Sequence, residues 1–508
     1  MKSSRAPVLI ANRGEIAIRI ARSARALGFP TVAVYSDADR QSEHVRACDR
    51  AAYLGGAAPR ESYLNVEKVI AAAKAHGARF VHPGYGFLSE RPHFVEACEK
   101  AGLVFVGPSA ESMRLMGDKI QARATVDSLK VPRVPGSAGA VPNAAEAARF
   151  AREVGYPVLL KATAGGGGKG MRRVDVEAEI AAAFEGASRE ALGAFGDGAM
   201  YVEKLILEPH HVEIQVFGDG KGRAIHLGER ECSIQRRHQK VWEESPSPIL
   251  ELHPKTREAM FAAAVRVAEH VKYAGAGTFE FIVDGQGAFY FLEMNTRLQV
   301  EHPVTEWVTG VDLVAWQLLL AAGELKLPAS APERRGSSIE VRLYAEDPQT
   351  FLPAPGPLGH IQLPSGGFVR VDTAFNGPGE VSLHYDPMIA KVSVWAPTRA
   401  EAIARMRVAL DETRVQPPKR ADGTRIGSLR TNLSFLRRLA RNADVLAGDT
   451  PTDLIPSNPD LTANAPGEPS LEAALGVSLF QLLAERGAVL PPVEGAWSRV
   501  ARREGVRE

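Results

Sequence analysis

The sequence has few cysteines and lacks long apolar runs. Its 508 residues include three cysteines, Cys48, Cys98 and Cys232, which lie far apart. An odd, scattered set indicates neither a disulfide framework nor a cysteine-based zinc site, and it is typical of a reduced, cytoplasmic protein. No run of about 18 apolar residues occurs, so we expect no transmembrane helix. Because a strand-like run begins at Val8, we expect no signal or transit peptide before it.

An excess of charge of one sign is also missing. The 61 Lys and Arg residues and the 60 Asp and Glu residues give a formal net charge of +1. This balance gives no electrostatic argument for nucleic acid or an anionic membrane as a partner. Hydrophobic residues make up 45% of the chain, which is near the globular average. The length is too great for one ordinary core and predicts several domains.

Residues 8–110 alternate short apolar runs with segments of helical periodicity. The predicted strands are Val8–Ala11, Thr31–Tyr35, Arg79–His82 and Val104–Gly107. A helix is predicted over Glu15–Leu27. Alternating strands and helices favour a parallel sheet of the nucleotide-binding kind. The G-x-G-x-x-G motif is missing after the first strand, so the sequence gives little support to a dinucleotide site.

The rest of the chain divides by composition. Residues 136–205 form a small separate unit, residues 206–325 are rich in β-strand patterns, and residues 337–440 have an α+β pattern. The predicted elements are the strands Pro157–Ala162, Val212–Phe217, Thr278–Val283 and Phe289–Met294 and the helix Asp312–Leu320. Residues 450–470 are rich in Pro, Asn and Ser and are predicted to be a linker. An apolar helix is predicted over Leu471–Arg486, from Ser470 as N-cap to Gly487.

A run of four glycines beside a lysine is the first strong signal for function. Residues 165–168 precede Lys169 and follow a predicted strand that carries Lys161. Glycines let backbone N–H groups approach a phosphate closely, and a buried lysine favours an anionic ligand. Because Gly170 rather than Ser or Thr follows Lys169, the run is not a Walker A loop. From the run alone, a hairpin tip without a ligand is an equally good interpretation.

Two carboxylates are predicted to face each other on a β-hairpin. The turn sequence at 284–287 joins two predicted strands and places Glu280 opposite Glu293. Facing carboxylates repel unless a cation lies between them, and Asn295 shares the face of Glu293. Oxygen ligands without His or Cys nearby suit Mg²⁺ or Mn²⁺. A surface pair is the less favoured alternative because of the apolar neighbours Phe279, Phe281, Phe291 and Leu292.

The polar alternation continues beyond the hairpin through Arg297, Gln299 and Glu301. If the chain stays extended, these side chains line one face with Glu293 and Asn295. An arginine between acids suits an anionic substrate on a metal site, and a fixed carboxylate at the end can act as general base. A solvated edge strand is the alternative.

Two basic groups are less informative from composition alone. Residues 235–240 are typical of a basic surface loop, and His210 and His211 are typical of structural histidines. A direct functional role is the less favoured interpretation for both groups.

Several long, ordered motifs resemble those of biotin carboxylases, which belong to the ATP-grasp superfamily. These motifs are Ile10–Ala17, His82–Glu90, Met116–Lys119, Gln235–Lys240 and Glu293–Glu306. The resemblance covers residues 8 to about 445. It implies an α/β and α+β multidomain fold with a Rossmann-like N-terminal domain (1–115), an ATP-grasp domain (116–335, with a glycine-rich lid at about 136–205) and an α+β C-terminal domain (336–448), before a linker and tail (449–508).

The resemblance also implies roles for individual residues. The ATP-binding candidates are Lys119, Lys161, Gly165, Gly166, Gly167, Gly168, Met171, Glu203, Lys204, Leu205, His211 and Gln235. The metal-binding candidates are Glu280, Glu293 and Asn295. The candidates for binding bicarbonate and biotin are Arg297, Lys240, Gln299, Val300, Tyr85 and His238. Glu301 corresponds to the general base, and Arg342 corresponds to the arginine that stabilises the biotin enolate.

The implied reaction is the ATP-dependent carboxylation of biotin by bicarbonate through carboxyphosphate, with two Mg²⁺ or Mn²⁺ ions. The implied partners are a biotin carboxyl carrier protein, a carboxyltransferase and a second copy of the chain, as a homodimer or within a larger complex. The alternatives are another ATP-grasp ligase, such as a carboxylate–amine ligase or a carbamoyl-phosphate synthetase half, and a non-catalytic ATP-binding subunit. Arg297, Glu301 and Arg342 argue against the ligase. The presence of Glu301, Arg297 and the metal-binding carboxylates argues against the inert subunit.

Two segments depart from the family pattern. Residues Val415–Gly427 are longer than the usual turn. The apolar helix of the tail is either a docking element for a partner subunit or the start of a further domain, and the sequence leaves both open. The final acceptor of the carboxyl group is chosen by a carboxyltransferase, so this chain does not specify it.

No lysine of the chain lies in a Met-Lys-Met or similar biotin-attachment motif. We therefore expect biotin to be a substrate on a separate carrier. A streptavidin blot of this polypeptide from a biotin-replete host should be blank, with a biotinylated carrier in the neighbouring lane as the positive control. A band at the mass of this chain would contradict this expectation.

Overall fold

The computed structural model describes residues 5–137, 139–163, 171–236, 239–463 and 479. The chain divides into two compact units, Met1–Thr462 and Ala463–Glu508. Of the second unit only residues 463 and 479 are described, and Leu479 is helical and exposed. The predicted lid glycines, His238, the remainder of the predicted tail helix and the side chain of Lys119 lie outside the described residues.

A parallel sheet forms the beginning of the first unit. Its strands are β1 (Val8–Ile10), β2 (Thr31–Ser36), β3 (Arg50–Gly55), β4 (Phe80–His82) and β5 (Val104–Phe105). The helices are α1 (Gly14–Ala26), α2 (Glu43–Ala47), α3 (Val66–Ala75), α4 (Pro92–Lys100), α5 (Ala110–Gly117) and α6 (Lys119–Ser128). The strand order is β3-β2-β1-β4-β5 and all pairs are parallel, which confirms the predicted class of sheet. The edge strand β3 was not predicted, because it begins Arg-Ala-Ala and has few β-branched residues.

A small antiparallel sheet follows. Its elements are α7 (Ala144–Val154), β6 (Val158–Ala162), β7 (Met171–Val174), α8 (Ile180–Phe195) and β8 (Met200–Lys204). The strand order is β7-β6-β8, and Lys161 of β6 lies opposite Met171 of β7. Alanines of both helices pack on this sheet in a core of their own. A separate small unit was predicted over this part of the chain.

The remaining elements build one large sheet, two separate two-stranded sheets and the helices that pack against them. The strands are β9 (His210–Asp219), β10 (Ala224–Arg236), β11 (Gln239–Ser245), β12 (Ala274–Val283), β13 (Phe289–Asn295), β14 (Ser337–Tyr344), β15 (Gly356–Leu358), β16 (His360–Gln362), β17 (Val369–Thr373), β18 (Gly379–Val381), β19 (Met388–Ala396) and β20 (Arg414–Gln416). The helices are α9 (Pro248–Leu252), α10 (Pro254–His270), α11 (His302–Thr309), α12 (Leu313–Ala321), α13 (Arg399–Glu412), α14 (Leu433–Leu439), α15 (Ala443–Ala447) and α16 (Leu454–Ser457).

This large sheet has eight strands in the order β13-β12-β9-β10-β11-β14-β19-β17, and every neighbouring pair is antiparallel. Strand β11 pairs directly with β14. The sheet therefore runs without a break across residue 336, where the sequence predicts a domain boundary. Side chains from both sides of that residue can meet on one face of the sheet.

The interpretation of residues 235–240 as a basic surface loop is wrong. Gln235 and Arg236 end β10, and residues 239 and 240 begin β11. Arg236 is buried, and its guanidinium donates to Glu346 and to the carbonyl of Phe351, at 2.7 Å each. Its partners lie more than a hundred residues along the chain, so local composition gave no sign of its burial.

The predicted linker at 450–470 is also wrong over its first part. Leu454, Ile455 and Leu461 are buried in the core formed by the last strands and helices. The amide of Thr452 donates to the carbonyl of Pro209 at 2.8 Å. The apolar side chains among the prolines and asparagines therefore attach residues 450–462 to the first unit.

The long segment Val415–Gly427 contains a short hairpin. Its start pairs with β16, and the amide of Arg420 donates to the carbonyl of Thr424 at 2.8 Å. The amide of Ile426 donates to the carbonyl of Pro418 at 2.7 Å. The additional residues thus satisfy their own backbone groups. Among the described residues no helix has both the length and the apolar character required to cross a bilayer.

The core beneath the predicted carboxylate hairpin gives a matched stability test. Leu250 and Leu252 lie on the same helix, α9, but Leu250 is 0% exposed and Leu252 is 76% exposed. We expect Leu250→Ala to lower the free energy of unfolding by about 2–5 kcal/mol, because it leaves a cavity in the core. Leu252→Ala should change it by under about 1 kcal/mol. Urea unfolding of both variants checks this, and equal losses would contradict the packing described here.

Candidate active site

The hairpin formed by β12 and β13 has the predicted register. Glu280 lies opposite Glu293, and the turn closes through a hydrogen bond from the amide of Gly287 to the carbonyl of Asp284 at 3.0 Å. Glu280 is buried whereas Glu293 is exposed. The three phenylalanines around them are buried as expected, but Leu292 is 48% exposed. The hairpin therefore presents one carboxylate from the interior and one from the surface of a cleft.

The ammonium of Lys240 is the centre of the site. It donates to Glu280 Oε1 at 3.0 Å, to Glu301 Oε1 at 2.9 Å and to Glu213 Oε1. The three carboxylates are buried and the Lys240 side chain is 12% exposed, and three carboxylates match the three donors of an ammonium group. Burial alone would lower the pKa of Lys240, but the carboxylates hold it well above its usual value. Lys240 is therefore a permanent cation in this site.

The same contact acts on the carboxylates. Burial alone would raise the pKa of Glu213, but Lys240 and Arg230 lower it to about 2. The pKa of Glu280 is also lowered, by Lys240 and His211 against the effect of burial. Both groups are ionised at neutral pH. The site is thus a compact cluster of buried charges that offset one another.

The structure brings a histidine and a cysteine to the acidic cluster, contrary to the expectation of a site without them. His211 Nε2 lies 3.1 Å from Glu280 Oε2 and 3.4 Å from Glu213 Oε1. Burial alone would lower the pKa of His211, but the two glutamates raise it to about 9. Cys232 lies in one group with Glu213 and Glu301, and burial raises the pKa of its thiol well above the usual value.

The chain does not stay extended after the hairpin, so the expectation of five side chains on one straight face is wrong. Strand β13 ends at Asn295, and α11 begins at His302, with Pro303 in its first turn. The polar groups nevertheless converge. Asn295 Nδ2 and Gln299 Nε2 both donate to Glu280 Oε1, at 2.7 and 2.8 Å. Because the chain bends between them, both amides reach the same buried carboxylate.

Arg297 lies at the edge of this group. Its guanidinium donates to Glu90 Oε2 and to Asn295 Oδ1, at 2.9 Å each. The Glu90 contact links the segment to the N-terminal parallel sheet domain. Its Nη1 also donates to the carbonyl of Leu298 at 3.2 Å, and the partly exposed side chain lines the cleft.

Glu301 is held from two sides at the start of α11. Lys240 donates to Oε1, and Arg342 Nη2 donates to Oε2 at 3.0 Å. Burial alone would raise the pKa of Glu301, but Lys240 and Arg342 keep it below its usual value. Arg342 also donates to Glu243 Oε1 at 2.6 Å. The result is a buried carboxylate that is ionised at neutral pH and fixed in position.

Three adjoining cavities meet at these residues. One of about 640 Å³ is lined by Lys240, Glu280, Glu301 and their neighbours. A second, of about 530 Å³, is lined by Tyr85 and shares Arg297, Val300 and Arg342 with the first. A third, of about 400 Å³, is lined by Lys161 and Glu203 and shares Glu293 and Asn295 with the first. The candidate base therefore faces a cavity that adjoins both others.

Of the described ATP-binding candidates, Lys161 and Glu203 line the third cavity, whereas Met171, Lys204 and Leu205 line none of the three. Lys161 pairs with Glu203, which also accepts from Arg123 Nη2 at 3.2 Å. Lys204 donates to the carbonyls of residues 155 and 156, at 2.9 Å each, and the amide of Leu205 donates to Pro157 at 3.0 Å. Met171 lies opposite Lys161. His211 and Gln235 instead line the cavity of Lys240 and Glu280.

Sequence reasoning missed several charged residues of this site. Glu213 carries a signal that was available, because His211, Glu213 and Gln215 alternate with buried Val212 and Ile214 on β9. A polar face of period two between apolar residues predicts a strand with a functional face. Arg230 and Glu243 carry no such signal, since their partners come from distant strands.

The donor set fits a hard divalent cation. Glu280 and Glu293 face each other across the hairpin, and the side-chain amide of Asn295 is in hydrogen-bond contact with Glu280. Oxygen donors of this kind suit Mg²⁺ or Mn²⁺. His211 and Lys240 offset the negative charge of Glu280. The remaining negative charge needed to bind a divalent cation would come from Glu293 and from a bound polyphosphate.

Family models match most of the chain. They are described as "Biotin carboxylase, N-terminal domain" over residues 4–113, "Carbamoyl-phosphate synthase L chain, ATP binding domain" over 118–329 and "Biotin carboxylase C-terminal domain" over 340–457. The fold and the site thus define an ATP-grasp enzyme.

Curated relatives and solved structures agree. Biotin carboxylase 2 of Bacillus subtilis is 47% identical over 449 residues, which cover 88% of this chain and 98% of the relative. Biotin carboxylase of Pseudomonas aeruginosa is 48% identical over 443 residues, covering 87% and 96%. A Campylobacter jejuni biotin carboxylase solved as a β,γ-ATP complex superimposes with a TM-score of 0.80 at 45% identity, over 89% of this chain and 98% of that one. The chain belongs to the biotin carboxylase family.

Longer relatives are similar to this chain over part of their length. The mitochondrial methylcrotonoyl-CoA carboxylase subunit alpha of Mus musculus is 48% identical over 455 residues. These residues cover 89% of this chain, which spans 62% of the length of that relative. The biotin carboxylase domain of a thermophilic 2-oxoglutarate carboxylase, solved with bicarbonate, has a TM-score of 0.84 at 42% identity, over 91% of this chain and all of that one.

Removing the central cation should destabilise the site in a pH-dependent way. Lys240→Met leaves buried carboxylates without their cation, which costs about 3–5 kcal/mol at neutral pH. In the wild type the low pKa of Glu213 contributes stability above the unfolded value of about 4.3, and this is lost as pH falls through about 2. In the variant, burial raises the carboxylate pKa values, so protonation relieves part of the cost as pH falls.

The stability difference between wild type and Lys240→Met should therefore be larger at pH 8 than at pH 5. Urea unfolding at both pH values measures it, with the exposed Lys221→Met as the control that shows no such difference. A stability deficit independent of pH would contradict the charge cluster described here.

Proposed function

We propose that this chain catalyses the ATP-dependent carboxylation of biotin by bicarbonate through carboxyphosphate. The observation that carries the proposal is the ionised carboxylate of Glu301, held between Lys240 and Arg342 where the cavities adjoin. A base, a site for an anion and space for two larger substrates are thereby within reach of one another. The similarity to proteins named biotin carboxylase over almost their whole length supports the same reaction.

The nucleotide belongs in the cavity of Lys161 and Glu203. The phosphates would point to the cavity edge formed by Glu293 and Asn295. Lys119, Lys161 and the glycines at 165–168 are the proposed phosphate contacts. Glu203, Lys204 and Leu205 would contact the adenine, and Met171 would contact the nucleotide as well. His211 and Gln235 would lie near the ribose. Mg²⁺ or Mn²⁺ held by Glu280, Glu293 and Asn295 would neutralise charge on the transferred phosphoryl group.

Bicarbonate belongs between Arg297 and Glu301. Arg297, Lys240, Gln299 and the backbone at Val300 would hold the anion, with His238 nearby. Glu301 takes its proton while one bicarbonate oxygen forms a bond to the γ-phosphorus and the bond to ADP breaks. A positioned base of this kind contributes about 10²–10⁴-fold in rate.

Biotin belongs in the cavity shared by Tyr85 and Arg342. Carboxyphosphate separates into CO₂ and phosphate, and the phosphate accepts the proton of the ureido nitrogen. The guanidinium of Arg342 offsets the negative charge on the ureido oxygen while the nitrogen bonds to CO₂. Arg342 contacts Glu301 as well, so one side chain connects the two half-steps.

The partners follow from the same reaction. Biotin would arrive on a separate carrier protein, and a carboxyltransferase would pass the carboxyl group to its acceptor. Two relatives carry names of methylcrotonoyl-CoA and propionyl-CoA carboxylase subunits, which supports a role within an acyl-CoA carboxylase. A homodimer and the domain limits 1–115, 116–335 and 336–448 are part of this proposal, with residues 449–462 assigned to the last domain because they pack on it.

The test compares phosphate release with carboxybiotin formation. Wild-type protein should cleave ATP only with Mg²⁺ and bicarbonate, and free biotin should stimulate it. Glu301→Gln should lower both products about 10²–10⁴-fold while ATP still binds. Arg342→Ala should lower carboxybiotin further than phosphate, because Arg342 acts on biotin after phosphoryl transfer.

The exposed Arg335→Ala, which removes a surface ion pair with Glu333, is the control and should behave as wild type. ATP cleavage that ignores bicarbonate would overturn the proposed reaction. An unchanged ratio of carboxybiotin to phosphate in Arg342→Ala would overturn the division of labour between the two residues.

A further inference from the structure

A lysine with no part in the proposed chemistry lies behind residues 296–301, the segment between β13 and α11 that is proposed to bind bicarbonate and is called the bicarbonate segment below. Lys391 is on β19, 0% exposed, directly opposite Arg342 of β14 on one side and Asp372 of β17 on the other. Residues directly opposite in neighbouring strands project to the same face of a sheet. Lys391 therefore shares a fully buried face with the arginine that holds Glu301.

The ammonium of Lys391 reaches the backbone of the bicarbonate segment. It donates to the carbonyl oxygen of Val300 at 2.6 Å. Residues 296–301 form no strand, and α11 starts only at His302. A segment without regular hydrogen bonds is held by its tertiary contacts. The peptide between Gln299 and Glu301 thus takes its orientation from a side chain of the C-terminal part of the chain.

Carboxyl groups of three different elements face Lys391. Burial raises the pKa of Glu15 to about 7 and that of Glu340 well above its usual value, whereas Arg370 and Lys391 keep the pKa of Asp372 low against the effect of burial. Glu15 Oε1 of α1 lies 3.7 Å away. Burial alone would lower the pKa of Lys391, but Glu15, Glu340 and Asp372 hold it above its usual value. Lys391 therefore remains a cation at all working pH values. It joins the N-terminal helix, the bicarbonate segment and the large sheet in one contact.

We propose that Lys391 is a positioning residue for the reaction: through the carbonyl of Val300 it sets the placement of the bicarbonate-binding backbone and of the Glu301 carboxylate. The contact matters because the residues on either side of Val300, Gln299 and Glu301, both belong to the site. Gln299 donates to Glu280, and Glu301 accepts from Lys240 and Arg342. A rotation of the peptide at Val300 moves both of these side chains at once.

The test is a variant that keeps the length of the side chain and removes its charge and donors. Lys391→Met should lower kcat for bicarbonate-dependent ATP cleavage by about 10²-fold, the loss expected from a displacement of about 1 Å at a reacting group. The KM for bicarbonate should rise. The KM for ATP should not change, because Lys161 and Glu203 lie on β6 and β8 and have no contact with Lys391.

The matched control is Arg399→Met. It breaks the ion pair of a partly exposed arginine with the buried Glu244, at 2.6 Å, on the opposite face of β11 from Glu243. This variant should lose thermal stability as Lys391→Met does, yet keep the kcat of the wild type. An equal loss of kcat in both variants would overturn the proposal, because general destabilisation would explain it.

A double-mutant cycle separates positioning from charge balance. Glu15→Gln removes the carboxylate nearest to Lys391, so Lys391→Met should cost less stability in that background. Its effect on kcat should be the same in both backgrounds, because the lost contact is to Val300. If the effect on kcat vanishes with Glu15→Gln, Lys391 only balances charge and the proposal fails.

If Lys391→Met fails to give folded protein in the wild-type background and in the Glu15→Gln background, the proposal is also rejected, because Lys391 would then be required for folding. The inference rests on the proposed function, and the two fail separately. If wild-type protein shows no bicarbonate-dependent ATP cleavage, the proposed function is contradicted. If the wild type is active and the Lys391→Met variant is equally active, only the inference about Lys391 is contradicted.

Discussion

The contact of one ammonium group with three buried carboxylates is the constraint on which the rest of the site depends. Lys240 meets Glu213, Glu280 and Glu301, which come from β9, β12 and the start of α11. Three buried carboxylates without a cation would repel one another strongly. Among the described residues, Lys240 is the one cation that contacts all three, and Arg230, His211 and Arg342 each offset the charge of at least one of them. The contact with Lys240 therefore ties together the hairpin, the central strands and residues 296–301.

That arrangement also prepares the chemistry. Because Lys240 and Arg342 keep Glu301 ionised despite its burial, the base needs no prior loss of a proton at neutral pH. Preorganised charges in a water-excluded site stabilise developing charge without reorganisation during the reaction. The same cations that make burial of the carboxylate possible thus prepare the carboxylate to act as a base.

The sequence predicted local geometry well and tertiary pairing poorly. The opposition of Glu280 and Glu293 follows from a turn sequence between two β-patterned runs, and both features are local. The burial of Arg236 depends on Glu346, and that of residues 454–461 depends on a core built by distant strands. The prediction of an extended chain after Asn295 was wrong for a different reason. It followed the alternation of polar residues and gave no weight to Pro303, a residue that favours the first turn of a helix.

The path of one oxygen atom tests the central claim most directly. If Glu301 assists bicarbonate to attack the γ-phosphate, one bicarbonate oxygen must remain on phosphorus after carboxyphosphate breaks down. With ¹⁸O-labelled bicarbonate, over times short against exchange with water, the released phosphate should contain one ¹⁸O atom, as mass spectrometry would detect. Phosphate that takes its new oxygen from water would show direct ATP hydrolysis and contradict this account.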